Sequence, residues 1–246
     1  LYAVITDADY RISASVLDKG RRARDYALRQ IARARETVAA DEEQFATDPK
    51  TGAVLPTQAN IRLALRRLGV DVRHNQFADR LHCSGMGLGP ELSDAEMTRI
   101  YLEVDTQFRM RPSKEFFWMV VEDAARRNGY HPVRDYLDSL TWDGTSRVDR
   151  WLATYLGADD TEYTRAVGRL VLVAACRRVR EPGCKFDEMM VLESAQGLNK
   201  SSALRALALR PEWFSDDLPL NAESKVVIER LQGRWIVEAA ELKGMR

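Results

Sequence analysis

Apolar residues at Ile61, Leu65 and Leu68 recur at helical spacing behind Thr57, a good N-cap, and Gly69 follows as a stop. That pattern predicts a helix from 57 to 68. Val70–Ser84 alternates loosely and predicts a small hairpin, followed by a Gly-Met-Gly-Leu-Gly loop at 85–89. Those glycines sit outside any strand-to-helix context, which argues against a phosphate loop there. Ser93-Asp94-Ala95-Glu96 reads as a capping box opening a helix with Met97, Ile100, Tyr101 and Val104 on one face. Ser113 opens another, Lys114–Arg127, which Asn128-Gly129 closes. Residues 57–130 thus predict a small helical, winged-helix-like module. Before it, Lys19–Ala40 reads as a long helix whose only large apolar groups are Tyr26, Leu28 and Ile31, and Asp48-Pro49-Lys50-Thr51-Gly52 reads as a turn-rich linker. After His131-Pro132 come two short helices and then a longer one from Thr161 to Arg180. Its middle (Val167, Leu170, Val171, Val173, Ala174, Ala175) is apolar nearly all round and predicts burial against a sheet. Pro182-Gly183 closes the helical section, and an α/β section begins at Phe186.

The most informative pattern lies in that section. Met190-Val191-Leu192 predicts an apolar strand, and Ala203–Ala208 a helix. Between them run Glu193, Ser194, Ala195, Gln196, Gly197, Leu198, Asn199, Lys200, Ser201 and Ser202. Strand, tight loop, Lys-Ser and helix make a phosphate cradle, because loop and helix N-terminal N–H groups converge on one anion. Lys200 would reach the β- and γ-phosphates of ATP, and the Ser201 hydroxyl would coordinate Mg²⁺. The strict motif has Gly where Ser194 and Asn199 stand, so this is a degenerate Walker A loop. Asn199 can adopt the left-handed backbone that glycine normally supplies. About forty residues on, Arg234-Trp235-Ile236-Val237-Glu238 ends a short apolar run in a carboxylate, with Glu241 three residues later. Nucleotide hydrolases need acids at such a strand end; Glu238 is the candidate metal ligand and Glu241 the candidate water-orienting group. The plainer reading of that run is a buried strand leading into a charged helix.

The segment from His131-Pro132-Val133-Arg134-Asp135-Tyr136-Leu137 through Trp142-Asp143-Gly144 resembles the virulence-associated protein E family of phage and mobile-element ATPases. So do Tyr155-Leu156-Gly157, Tyr163–Gly168, Glu181–Asp187, Trp213-Phe214-Ser215-Asp216, Leu231-Gln232-Gly233 and Glu241-Leu242. The resemblance is dense from 131 onward and looser over 57–130. It implies a P-loop motor core similar to superfamily 3 helicases, often carried beside a primase. It further implies a homo-oligomeric ring in which a neighbour's arginine completes each site. Family members usually carry Gly at the positions of Ser194 and Asn199.

Composition adds limits. With 246 residues, 45% hydrophobic and 30% charged, the chain can hold one large or two modest domains. No apolar run reaches the ~20 residues of a membrane helix, and the start has no secretory pattern. Leu1 is not an initiator Met, which suggests part of something longer. Cys83, Cys176 and Cys184 have no ligand-like spacing and cannot all pair, pointing to a reducing cytoplasm. His74, His82 and Cys83 suggest a polar hairpin rather than a metal site. Net charge is zero, 37 basic against 37 acidic residues, so contact with nucleic acid, DNA in particular, needs a local patch. Lys19, Arg21, Arg22, Arg24, Arg29, Arg33 and Arg35 offer one, as well as a merely solvated helix face. Arg109 and Arg111 could face phosphate or water. Trp142, Trp151 and Trp213 read as core or interface anchors.

The expected architecture is a partial α/β P-loop NTPase core, preceded by a mainly α-helical N-terminal region with the winged-helix-like module. Its domains are a basic helical region and linker (1–50), the small module (51–130), and a helical lead-in with the first part of the ATPase core (131–246). The expected function is an ATP-dependent, helicase-type replication motor of a phage or mobile element. Its alternatives are a non-hydrolysing nucleotide- or DNA-binding assembly module with a decayed loop, and a regulator acting through protein contacts alone.

Overall fold

A computed structural model describes residues 27–32, 43–195, 197–218 and 223–239. They fall into two compact units: one runs up to Asn75 and resumes at Arg80–Tyr130, the other takes in Gln76–Asp79 and everything from His131. Residues 27–32 are helical and bury Ala27 and Ile31. The rest of the expected Lys19–Ala40 helix, with all of its basic patch except Arg29, lies outside the described residues.

In the first unit, α1 (Gln58–Arg67), α2 (Asp94–Phe108) and α3 (Lys114–Arg127) surround a three-stranded sheet of β1 (Asp71–Asn75), β2 (Arg80–Ser84) and β3 (Gly129–Tyr130), in the order β2-β1-β3. The helix starts follow their caps. Thr57, Ser93 and Ser113 each accept a backbone N–H of the first turn, from Asn60, Ala95 and Phe116. The β1–β2 pair is antiparallel with Val72 opposite Cys83, and β3 joins β1 in parallel at His74↔Gly129. Val72 and Cys83 face the core formed by Ile61, Ile100, Val104, Met110, Phe117 and Val121. Burial among these apolar groups pushes the Cys83 thiol up to about 11, so it stays protonated at neutral pH. Gly85, at φ +100°, is sterically required: a Cβ there would lie 2.1 Å from the Gly69 carbonyl oxygen.

The segment expected as a linker is anchored instead. Thr47 bridges Val54 across a turn in which the Asp48 carboxylate accepts the Lys50 and Thr51 N–H groups. The buried Asn60 amide donates to the carbonyls of Ala46 and Leu55 and accepts from Ala46 N–H, while Phe45 packs on Phe108 with ring centroids 5.0 Å apart. Turn residues mark a reversal of the chain; they do not reveal that both arms are pinned by one buried amide. The compact units show no division at 50/51; along the chain the change of unit falls after Tyr130, apart from the short segment Gln76–Asp79 that belongs to the second.

The second unit holds α4 (Pro132–Asp138), α5 (Trp151–Leu156), α6 (Glu162–Arg180), α7 (Lys200–Ala208), β4 (Phe214–Ser215), α8 (Ser224–Leu231) and β5 (Ile236–Val237). Strands β4 and β5 are parallel, Phe214 opposite Ile236, with α8 as their crossover. A small core of Val133, Val179, Ala208, Trp213, Phe214 and Trp235 joins α4, α6 and α7 to this pair. Trp213 and Trp235 meet edge to face at 6.2 Å.

Three sequence expectations differ here. Met190–Glu193 forms no strand and pairs with no described strand; β5 bonds to β4 alone. Helix α6 is open rather than buried: only Gly168 and Val179 are buried, while Leu170 and Val173 are 47% and 55% exposed. Its apolar sides line clefts instead of a sheet. Trp151 and Trp213 are buried, but Trp142 is 77% exposed, its indole N–H donating to the Thr145 carbonyl within the same loop. Among the described residues no helix is long and apolar enough to cross a membrane.

Candidate functional site: a loop, a helix start and a strand-end carboxylate

The loop before α7 turns on two left-handed residues, Gly197 (φ +88°) and Asn199 (φ +56°, ψ +28°). Asn199 is the N-cap of α7, yet its side chain makes no capping bond, and its carbonyl accepts the Ala203 N–H. The first-turn N–H groups of α7 are therefore not closed off by the cap side chain, as an anion site at a helix start requires. Ser194, standing at a customary glycine position, has no positive φ. This loop path needs no glycine there, so the substitution costs no backbone strain.

Lys200 folds back over the loop. Its Nζ donates to Ser194 Oγ at 2.7 Å, to the Ser194 carbonyl at 3.1 Å and to the Ala195 carbonyl at 3.4 Å. The ammonium is thus held inside the curve of 194–199 by three neutral oxygens, partners that a phosphate would outcompete by charge. One residue on, Ser201 Oγ donates to Glu238 Oε1 at 2.7 Å. Glu238 is set by the β4–β5 pair: its N–H donates to the Ser215 carbonyl at 2.8 Å, directly after the Ser215↔Val237 register. Its second oxygen, Oε2, is buried with no hydrogen-bond partner. A hydroxyl beside a carboxylate with an unused oxygen is a hard-oxygen donor set of the type Mg²⁺ accepts. No described group of three or more His, Cys, Asp or Glu side chains adds to it.

The structure thus brings Lys200, Ser201 and Glu238 to one place, with Lys200 and Glu238 lining the same cleft. Leu198 and Ser202 line a second cleft that also includes Lys200, and the Ala195 carbonyl accepts from Lys200. Gln196 and Glu241 lie outside the described residues. Two features were not readable from spacing. Ser194 is a partner of Lys200 rather than a mere departure from a motif, and Ser215 fixes the carboxylate through its backbone. The acids beyond β4 are already engaged, Asp216 by Arg205 at 3.3 Å and Asp217 by Arg230 at 2.6 Å. Elsewhere Arg111 pairs with Asp105 at 2.7 Å while its side chain stays 78% exposed. His82 shares a 2.7 Å hydrogen bond with Tyr130 Oη.

Residues 137–246, within the second unit, match the family model of the virulence-associated protein E-like domain. No curated protein matches the chain.

Proposed function

We propose that the loop 194–200, Ser201 and Glu238 form a Mg²⁺-dependent ATP site, and that the complete protein is a helicase-like motor acting on DNA in a phage or mobile element. The observation that carries this reading is the 2.7 Å contact between Ser201 and Glu238, made at the head of the helix that Lys200 opens. Ser201 and Glu238 would hold the metal, Glu238 through the buried oxygen that lacks a partner. When bound, Mg²⁺ supplies charge neutralisation on the phosphate oxygens. Lys200 exchanges the Ser194 and Ala195 oxygens for phosphate and stabilises charge that develops on the transferred group. The loop and helix N–H groups orient the same phosphates. Assembly into a ring with a neighbour's arginine belongs to the same proposal.

One observation favours a second reading. Two loop carbonyls accept from Lys200, so the loop satisfies its own cation without any anion. A non-hydrolysing assembly module with a decayed loop has that property. ATPase assays with and without single-stranded DNA separate the two, comparing wild type with Lys200→Ala and Glu238→Gln. Turnover that both substitutions abolish, about 10²-fold or more as for other electrostatic groups, supports the motor. Absence of both turnover and nucleotide binding in the wild type supports the assembly module.

A further inference from the structure

A cleft of about 1020 Å³ opens beside the loop, between the α5–α6 pair and the start of α7. Gly157, left-handed at φ +68°, caps α5 and reverses the chain, so that α5 and the first turns of α6 line one cleft. Its wall carries Tyr155 and Tyr163, 67% and 76% exposed, with Leu170 (47%) and, from the loop, Leu198 (65%). Single exposed apolar groups need no explanation, but four sharing a concavity form a binding surface. Among the described residues neither tyrosine side chain is in a ring contact or a hydrogen bond, and both lie on helices facing the cleft. The same cleft is lined by Ser194, Asn199 and Lys200 of the loop.

We propose that this cleft binds the nucleoside half of the nucleotide, with Tyr155 and Tyr163 as the aromatic walls for the base. The inference rests on the phosphate-loop reading above and adds to it the recognition of the base. Among the described residues Lys200 is the one cation of the lining, which also includes the carboxylates of Glu188 and Glu193. The anionic tail of a nucleotide would meet Lys200, and its uncharged head the tyrosines and apolar side chains of the same lining. Heterocycles stack on tyrosine faces irrespective of sequence, and a base seated there would cover part of this exposed apolar lining.

The test compares binding of adenosine, ATP with Mg²⁺ and inorganic tripolyphosphate to the full chain by calorimetric titration. The wild type is expected to bind ATP more tightly than tripolyphosphate. The double substitution Tyr155→Ala, Tyr163→Ala should weaken ATP about ten-fold, the factor that ~1.4 kcal/mol of lost stacking gives. It should leave tripolyphosphate unchanged, and Tyr155→Phe with Tyr163→Phe should restore ATP affinity. Equal affinity of the wild type for ATP and tripolyphosphate overturns the proposal, as does an alanine variant that binds ATP like the wild type. Failure of the phosphate-loop reading looks different: Lys200→Ala then leaves ATP and tripolyphosphate binding unchanged, while adenosine binding still depends on the two tyrosines.

Discussion

The two units spend their apolar residues differently. In the first, among the described residues, fifteen buried side chains form one continuous core, and Phe117, Ile61, Ile100 and Val104 are wholly shielded from water. In the second, six do so, while Tyr155, Tyr163, Leu170, Val173, Met189 and Val191 stand 47–76% exposed. The first is packed to hold its shape. The second leaves its apolar surface around a loop with convergent polar groups, and a protein retains such surface where something else is meant to cover it. The helix that reads as most hydrophobic, α6, is the clearest example: its sides are walls of clefts rather than core.

Truncating one buried and one exposed side chain tests this contrast most severely. Phe117→Ala should cost about 3–5 kcal/mol, since it opens a cavity among residues that cannot collapse to fill it. Leu170→Ala should fall within about 0.5 kcal/mol, as solvent-facing changes do. Denaturant midpoints of the two variants measure both. A Leu170→Ala loss of similar size would mean that the α6 face is covered in solution, and the contrast between the units would be broken.

Where α6 meets α5 the second unit is packed as tightly as the first. Gly168 lets α6 approach α5, and a Cβ there would sit 2.7 Å from Trp151 Nε1 and 3.2 Å from Leu152 Cδ1. Trp151 is a rigid ring, 6% exposed, and cannot swing aside. Gly168→Ala should therefore destabilise by about 1–2 kcal/mol, overpacking outweighing the gain in helix propensity. A thermal midpoint at or above the wild-type value would show that the α5–α6 contact is loose.

What the sequence conveys and what it hides follow the same division. Thr57, Ser93, Ser113 and Thr161 announce their helices because capping is local, settled within four residues of chain. The hairpin at 71–84 is announced by its alternation. Met190–Glu193 and α6 are misread because apolar spacing says which residues seek cover and not what covers them. The closeness of Ser201 to Glu238, with Lys200 on the same cleft, agrees with what their spacing suggests. The role of Ser194 is not readable from spacing, since a motif records residue types while the structure reveals that φ is positive at 197 and 199 and not at 194.

That distinction yields a sharper test of the loop. If left-handed backbone at 199 is what the loop needs, Asn199→Gly should retain nucleotide affinity and stability. Asn199→Val, a β-branched residue forced to φ near +56°, should cost about 1–2 kcal/mol and weaken nucleotide binding. Ser194→Gly should change neither loop path nor fold. A Val variant that binds nucleotide as the wild type does would show that the loop follows another path in solution.

The smallest expected effect again sets the units apart, through one histidine each. In the second unit His131, 7% exposed, is the N-cap of α4: its Nδ1 accepts the Arg134 N–H at 3.3 Å. Burial, with the Arg134 charge beside it, holds its pKa below the usual 6.5. The folded state thus favours the neutral ring, whose lone pair makes the cap. Its contribution is complete above the ordinary histidine pKa and is lost as pH falls through the depressed folded value. The loss should amount to about 1 kcal/mol, the worth of an N-cap. His131→Asn keeps an acceptor at the cap and removes the titration, so its stability between pH 7 and 5 should lack this step. In the first unit His82 is also lowered by burial, but it bonds a tyrosine hydroxyl that can donate to the neutral ring or accept from the charged one. His82→Asn should therefore leave a larger part of the acid sensitivity in place than His131→Asn does. Ring resonances followed by NMR decide it: a His131 imidazole titrating at or above the ordinary value would remove the cap from the acid response.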